Sequence, residues 1–304
     1  MIVVTGATGN IGRPLTRALA EAGERVTAVS RRPGPVPAGV RLLTVDLADL
    51  ADLADPADLA EPAGPADPAG PAALADVLEP VLTEAKALFL LLSGDLHGPS
   101  GAPAELVRRA AAAGVRRIVL LSTQGVVTRP FGPTRIAMRS LEDLVRASVP
   151  EWAIVRPGGF ASNTLWWAES IRTGRLVAAP FGDVATPVVD PADIAEVAAA
   201  CLLEDRHLGG AYELTGPEVI SPRGQTAALS AALGVPLRFH ELSREEAAAA
   251  MARSMPVELA DDTLDILGAP SAAELRIGPG VREVLGRDPR PFAAWAARHV
   301  DAFR

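Results

Sequence analysis

A glycine-rich turn close to the start of the chain most constrains what this sequence can fold into. Residues 4–12 read Val-Thr-Gly-Ala-Thr-Gly-Asn-Ile-Gly, so that Gly6, Gly9 and Gly12 follow one another at intervals of three. The preceding run Ile2–Val4 predicts a strand, and the apolar residues from 11 to 22 recur at the spacing of a helix. A strand, a glycine turn and a helix in this order predict a dinucleotide-binding unit.

Each glycine of this turn has its own expected task. Gly6 permits the sharp turn, Gly9 lets the backbone approach a pyrophosphate closely, and Gly12 lets the helix pack against the strand. The start of the helix adds free N–H groups and a positive dipole end, which favour an anion. The alternative is a turn that only links a strand to a helix. We expect cofactor contacts from the following residues of the turn: Gly6, Thr8, Gly9, Asn10, Ile11 and Gly12.

The end of the second predicted strand indicates which nucleotide is bound. A site that prefers NAD places an acidic residue there for the ribose 2′-hydroxyl, whereas this chain has Ser30, Arg31 and Arg32. Two arginines suit the 2′-phosphate of NADP(H), and Arg31 is the better candidate, although surface arginines often only solvate a loop. Asp46 and Leu47, which close the third predicted strand, are expected at the adenine; an aspartate there can also simply form a turn.

The order of predicted elements favours an α/β fold with a doubly wound parallel sheet of the Rossmann type. Short apolar runs alternate with helical patterns at 2–4, 25–29, 41–45, 87–92, 117–121 and 153–155. After residue 175 the pattern changes to isolated strands (175–178, 211–214 and 237–241), alanine-rich helices and a last helix at 291–303, which predicts a smaller mixed α/β lobe.

The expected domains are a dinucleotide-binding domain at 1–160 and a smaller substrate-binding lobe at 161–304, with parts of the chain crossing back to the main sheet. Residues 48–73 repeat alanine, aspartate and proline. Because repeated prolines forbid a continuous helix, this segment predicts an exposed insertion in the first domain.

Composition excludes several classes of protein. The formal net charge of −8 argues against a nucleic-acid partner. No apolar run approaches the roughly 20 residues that cross a bilayer, and the start lacks the features of a secretion signal, so we expect a cytoplasmic protein without a membrane partner. Cys201 is the only cysteine, which excludes an internal disulfide and a cysteine-based zinc site, and no metal is expected. The sequence leaves a homodimer open.

Six further motifs extend the analysis along nearly the whole chain. They lie at 92–94 (Leu-Ser-Gly), 121–123 (Leu-Ser-Thr), 152–163, 190–195 (Asp-Pro-Ala-Asp-Ile-Ala), 211–218 and 286–292. In this order they resemble the NmrA-like family of atypical short-chain dehydrogenases/reductases, which includes NADPH-dependent quinone and azo reductases and regulators that sense the cofactor without turning it over. The resemblance implies an NADP(H) cofactor with additional contacts from Ser93, Gly94, Ser122, Pro157 and Phe160.

The catalytic pattern of ordinary short-chain dehydrogenases is not present. They use a tyrosine, a lysine four residues later and a helix glutamate after four more, and aligning that glutamate with Glu142 puts Thr134 and Met138 in the first two places. The only tyrosine and the only lysine of the chain are Tyr212 and Lys86. A substrate that spreads the arriving charge over a conjugated system depends least on a strong acid.

Three other side chains are candidate proton or hydrogen-bond donors by position. Ser122 follows the fifth predicted strand, His97 follows the fourth, and Arg139 lies near the missing lysine. Each also has a structural interpretation: Ser122 could contact only the nicotinamide or cap its strand, and the other two could serve the fold alone. Asp190 and Asp193 fit a helix start, as a cap and as a charge favourable to the helix dipole.

Aromatic side chains are the expected walls of the substrate site. Only 4% of the residues are Phe, Trp or Tyr, so the four near the expected mouth stand out, although aromatic residues often just fill cores: Phe131, Phe160, Trp166 and Trp167. They predict a small-molecule substrate with an aromatic or quinoid ring.

Three functions are compatible with these features. The first is an NADPH-dependent oxidoreductase that transfers a hydride to a quinone-like, polycyclic aromatic or conjugated enone substrate without the Tyr and Lys pair. The second is a non-catalytic NAD(P)-sensing regulator that acts through a protein partner. The third is a non-redox biosynthetic enzyme on the same fold.

Overall fold

The computed structural model describes residues 1–53, 71–91, 101–253 and 255–304. The chain forms two compact units, each with its own core: Met1–Arg156 together with Ile194–Tyr212, and Pro157–Asp193 together with Glu213–Arg304. The functional division at residue 160, into a cofactor half and a substrate half, stays a prediction.

The described strands form three sheets. In chain order they are β1 (Ile2–Thr5), β2 (Val26–Ser30), β3 (Arg41–Thr44), β4 (Ala87–Leu90), β5 (Arg117–Leu121), β6 (Glu151–Pro157), β7 (Gly159–Phe160), β8 (Leu176–Pro180), β9 (Thr186–Val189), β10 (Gly210–Leu214), β11 (Val219–Ile220) and β12 (Arg238–Leu242). Each strand predicted from the apolar runs is present, within a few residues of its expected bounds.

A seven-stranded sheet in the order β10-β6-β5-β4-β1-β2-β3 forms the centre of the first unit. The neighbours from β3 to β6 pair in parallel. All residues of β1, β2, β4 and β5 are buried, as expected for strands covered on both faces by helices. The predicted Rossmann-type sheet is therefore confirmed.

The α-helices alternate with the strands in the first half of the chain and continue through the second half. They are α1 (Gly12–Glu21), α2 (Pro71–Thr83), α3 (Ala102–Ala112), α4 (Gly125–Thr128), α5 (Pro133–Ser148), α6 (Ala168–Gly174), α7 (Pro191–Leu203), α8 (Pro222–Leu233), α9 (Arg244–Met251), α10 (Val257–Gly268), α11 (Gly280–Leu285) and α12 (Phe292–Arg298). None of those that the structure describes is long and apolar enough to cross a membrane.

The second unit contains the smaller lobe predicted after residue 175. β12 pairs in parallel with β8, and a separate sheet has the order β11-β9-β7. Ile171, Val177, Leu229, Phe292 and Trp295 pack in its core. One predicted lobe strand lies elsewhere, because β10 is the edge strand of the main sheet beside β6.

The segment 48–73 differs from the predicted exposed insertion at its start. Residues 47–53 form a 3₁₀ helix, and Leu50 is fully buried in the core of the first unit. The reason is the spacing of Leu47 and Leu50, both buried: residues three apart lie on one face of a helix with three residues per turn. Residues 71–73 begin α2, and residues 54–70 lie outside the described part of the chain.

Candidate active site

The turn between β1 and α1 can be made only by its glycines. Gly6 has a φ of +62°, in the left-handed region that glycine adopts without strain. The Gly9 amide donates to the Gly6 carbonyl oxygen at 3.0 Å, which closes the turn. A Cβ on Gly12 would lie 2.2 Å from that same oxygen and 2.6 Å from the Ala7 Cα. The backbone of α1 therefore packs directly against the backbone of the turn.

The start of α1 presents unpaired amides beside this turn. The Arg13 amide donates to the Gly9 carbonyl oxygen at 3.1 Å, and the amides of residues 10–12 precede it, where a helix has no carbonyl one turn earlier. Asn10 is exposed, whereas the Ile11 side chain is buried, so Ile11 can reach a ligand only through its backbone. The arrangement fits a pyrophosphate group.

A cleft of about 290 Å³ lies next to the turn, within the first unit. Besides Ser30, it brings together about half of the residues predicted to bind the cofactor: Gly6, Thr8, Gly9, Arg31, Arg32, Asp46 and Leu47. The cleft thus has a glycine turn at one side and two arginines at another, as the two phosphate-bearing parts of NADPH require.

Ser30 fixes the backbone that carries the two arginines. Its hydroxyl lies 2.7 Å from the Thr8 hydroxyl and donates to the Arg32 carbonyl oxygen at 2.9 Å. No acidic side chain stands at the end of β2, where a site for NAD would need one. The hydroxyls of Thr8 and Ser30 both line the cleft at the end of β2, where the ribose is expected.

Asp46 has a structural partner as well as a place in the cleft. Its Oδ1 accepts a hydrogen bond from the Ala48 amide at 3.0 Å and so caps the 3₁₀ helix that follows β3. The side chain is exposed, and a carboxylate has a second oxygen for another donor. Contact with an adenine amino group stays a prediction.

Ser122, at the carboxyl end of β5, is bonded to a buried carboxylate. Its Oγ donates to Glu142 of α5 at 2.6 Å, and Arg156 of β6 donates to both oxygens of Glu142, at 2.9 and 2.6 Å. Burial disfavours the carboxylate, but the hydrogen bonds from Arg156 and Ser122 outweigh it and hold the pKa of Glu142 below its ordinary value. Because a hydroxyl has one proton, Ser122 can only accept from a ligand in this geometry.

Gln124 is the residue of this region that the sequence did not single out. It lies two residues beyond Ser122, exposes 6% of its surface, and its buried Nε2 has no hydrogen-bond partner among the residues that the structure describes. Arg139, a candidate donor, is exposed on α5 and donates to the Val126 carbonyl oxygen in α4. The sequence signal for Gln124 was its position alone, since nothing in a sequence marks a buried amide as unpaired.

The single tyrosine and the single lysine each have a partner of their own. Lys86 precedes β4 and its Nζ pairs with Glu24 at 2.7 Å. The Tyr212 hydroxyl lies 3.0 Å from Nδ1 of His207, which comes just before β10. That the nicotinamide site has no Tyr and Lys pair stays a prediction.

The thiol of Cys201 is buried and protonated. It lies on α7 with no exposed surface, as the apolar run around it predicts, and burial raises the pKa of its thiol to about 12. A thiol with this pKa stays protonated at neutral pH and is neither a nucleophile nor a metal ligand.

The remaining predicted residues divide between the two units and the undescribed segments. Ser93, Gly94 and His97 lie outside the described residues. Phe131 belongs to the first unit and is 90% exposed, whereas Pro157, Phe160, Trp166 and Trp167 belong to the second unit. A common aromatic wall made by these residues stays a prediction.

Comparison with known proteins identifies the family to which this fold and cleft belong. A family model described as NAD(P)H-binding matches residues 6–205, which include the glycine turn and the whole cleft. The chain belongs to this NAD(P)H-binding family. The resemblance to NmrA-like atypical reductases is confirmed by the relatives described next.

Two relatives are reductases. The chain is 37% identical to a (4-alkanoyl-5-oxo-2,5-dihydrofuran-3-yl)methyl phosphate reductase of Streptomyces griseus, over 100% of this chain and 99% of that protein. It is 34% identical to an NAD(P)H azoreductase of Xenophilus azovorans, over 66% of this chain and 71% of that protein. This NAD(P)H-binding protein is accordingly an NAD(P)H-dependent oxidoreductase.

Solved structures support the fold. An NADPH-dependent quinone oxidoreductase of Escherichia coli, determined in complex with NADPH, superposes with a TM-score of 0.73 at 22% identity, covering 98% of this chain and 99% of that one. At this identity the likeness supports the fold alone.

Proposed function

We propose that this oxidoreductase uses NADPH to reduce a carbon–carbon double bond conjugated to carbonyl groups, in a 4-acyl-5-oxo-2,5-dihydrofuran that carries a methyl phosphate. The observation that carries the proposal is the 37% identity to a reductase of that substrate class over essentially the full length of both proteins. Of the three acceptor classes predicted from the sequence, the proposal selects the conjugated enone.

The chemistry of this substrate class suits a chain without the Tyr and Lys pair. When bound, NADPH supplies the hydride and leaves as NADP⁺. In the dihydrofuran ring the double bond joins carbons 3 and 4, and carbon 4 bears both the acyl carbonyl and the ring carbonyl. The new C–H bond forms at carbon 3, the electron pair of the double bond becomes an enolate shared by the two carbonyls, and water protonates carbon 4. Because two carbonyls share the charge, a strong acid is not required.

Preference for NADPH over NADH is supported by the charges of the cleft. Arg31 and Arg32 line it, and the end of β2 carries no carboxylate that would repel a 2′-phosphate. The hydroxyls of Thr8 and Ser30 lie 2.7 Å apart at the same corner. Because these hydroxyl protons are used in bonds within the protein, the guanidinium groups are the donors that would bind the 2′-phosphate.

Replacing Arg31 with alanine should weaken NADPH binding roughly 10- to 100-fold, because a charge-assisted hydrogen bond contributes about 1.5–3 kcal/mol. Binding of NADH, which has no 2′-phosphate, should change less than threefold. Fluorescence titration with both nucleotides measures the two constants. Arg41→Ala, at an exposed position that begins β3, is the control and should change neither. Equal losses for both nucleotides would show that Arg31 does not contact the phosphate.

The proposed reaction is tested with (4-hexanoyl-5-oxo-2,5-dihydrofuran-3-yl)methyl phosphate. We expect loss of NADPH absorbance with this compound and a product heavier by two hydrogens. With NADPH deuterated at the transferred position, the label should appear at ring carbon 3. A benzoquinone and an azo dye are assayed in parallel. Reduction of either of these without reduction of the dihydrofuran would contradict the proposed substrate, and tight NADPH binding without any turnover would favour the regulator.

A further inference from the structure

We infer that Gln124 donates the hydrogen bond that stabilises the enolate oxygen of the substrate, the task that a tyrosine performs in ordinary short-chain dehydrogenases. The inference rests on the proposed function. It assigns to the amide of Gln124 a role for which sequence alone offered Ser122, His97 and Arg139.

The position of Gln124 places it at the ligand-binding edge of the sheet. β5 ends at Leu121, Gln124 follows three residues later as the residue before α4, and β5 is parallel to β4, which is parallel to β1. The carboxyl end of β5 is therefore at the same edge as the glycine turn. In open α/β sheets, ligands bind beyond the carboxyl ends of the strands.

The amide of Gln124 has an unused donor, which costs free energy in the absence of a ligand. Its Nε2 is buried and is bonded to no group in the described part of the chain, and 94% of the surface of the residue is shielded. An unpaired buried donor is destabilising, and such groups in native proteins generally serve a ligand, a water or a catalytic task. The last side-chain torsion of a glutamine is broad, so the amide can turn its N–H toward a substrate oxygen.

The hydroxyl of Ser122 cannot perform this task. The single proton of Ser122 is donated to Glu142 at 2.6 Å, and Glu142 is held as a carboxylate by Arg156, so that proton stays where it is.

A neutral amide suits the reaction that we propose. It can stabilise negative charge on a carbonyl oxygen by hydrogen bonding, but it cannot transfer a proton at neutral pH. The proton for carbon 4 then comes from water, as the enolate chemistry allows. Removing one donor of this kind typically lowers kcat by about 10²- to 10³-fold. Since the enolate is already shared by two carbonyls, we expect a loss of roughly 10- to 100-fold.

The test compares Gln124→Met with the wild-type protein on the hexanoyl substrate. Methionine keeps the length of the side chain and removes the donor. We expect kcat to fall roughly 10- to 100-fold, whereas the Kd for NADPH should change less than twofold and the thermal midpoint should stay the same or rise, because the unpaired donor is gone. Gln225→Met, at a buried glutamine of α8, is the matched control and should keep full activity.

Gln124→Glu provides a readout that a structural role would not produce. A carboxylate only accepts hydrogen bonds, whereas its protonated form donates one. The kcat of this variant, relative to the wild-type kcat, should therefore rise as the pH falls. It also serves as the deciding variant if Gln124→Met does not fold.

Separate outcomes overturn the inference and the proposed function. Wild-type reduction of the dihydrofuran with kcat of Gln124→Met within twofold would overturn the inference alone. Loss of NADPH binding and of thermal stability together with activity would assign Gln124 to the fold and would also overturn it. If the wild-type protein reduces a quinone instead, the proposed substrate is wrong, and the same comparison on the quinone decides the role of Gln124. No turnover of any acceptor overturns both.

Discussion

Replacing Gly12 with alanine is expected to abolish useful NADPH binding, with a rise in Kd of at least roughly 100-fold. A Cβ at this position would lie 2.2 Å from the Gly6 carbonyl oxygen and 2.6 Å from the Ala7 Cα, both backbone atoms. No side chain can rotate to relieve these contacts, so α1 must move away from the turn. The amides of residues 10–12 move with it, and the pyrophosphate loses its donors. Overpacking of this kind also costs about 1–3 kcal/mol of stability.

The experiment measures NADPH binding by fluorescence titration and the free energy of unfolding in urea. Gly174→Ala is the matched control, because the nearest heavy atom to a Cβ at Gly174 is 4.0 Å away. That variant should bind NADPH as the wild-type protein does. If Gly12→Ala bound NADPH with a Kd within threefold of the wild-type value, the close backbone contact could not be what positions the amides.

The sequence could predict this turn because every constraint on it is local. The three glycines, the strand before them and the helix after them lie within 22 residues, and each has a physical reason that sequence spacing reveals. The nucleotide preference could be predicted from the end of β2 for the same reason, because the sequence itself shows that residues 30–32 include no carboxylate. In the structure, residues from the glycine turn and from the end of β2 line the same cleft.

The surroundings of Ser122 could not be predicted, because they depend on contacts between distant elements. Glu142 belongs to α5 and Arg156 to β6, and only the packed structure shows that both meet at the end of β5. The same holds for the unpaired amide of Gln124, whose environment is a property of packing. A strand such as β10 likewise has no mark in its own residues that assigns it to the main sheet.

The leucine spacing at 47–53 shows a different limit. The repeated alanine, aspartate and proline residues predict an exposed insertion, whereas the leucines at every third position of the sequence indicate a short helix. A period of three is uncommon in longer helices but matches a 3₁₀ helix. The burial of Leu50 follows from that period.

Two aspartates at the start of α7 hold the C-terminal segment of the second unit. Asp190 caps the helix, accepting from the Ala192 amide at 2.9 Å, and it also pairs with Arg298. Asp193 has no exposed side-chain surface, pairs with Arg287 at 2.7 Å and with Arg290, and accepts from the Arg290 amide at 2.7 Å. The motifs at 190–195 and 286–292 therefore form one structural feature, although about 90 residues separate them.

Replacing Asp193 with alanine is expected to lower the free energy of unfolding by about 3 kcal/mol. Removing one partner of a buried ion pair costs about 3–5 kcal/mol, and the lower value applies because Arg287 and Arg290 expose 35% and 29% of their side chains and regain some water. Urea unfolding measures the loss. Asp301→Asn breaks an exposed pair with Arg304 and should cost less than about 0.5 kcal/mol. A loss below about 1 kcal/mol in Asp193→Ala would mean that the C-terminal segment is held by its apolar contacts, with Trp295 as their centre, and that the buried carboxylate contributes little.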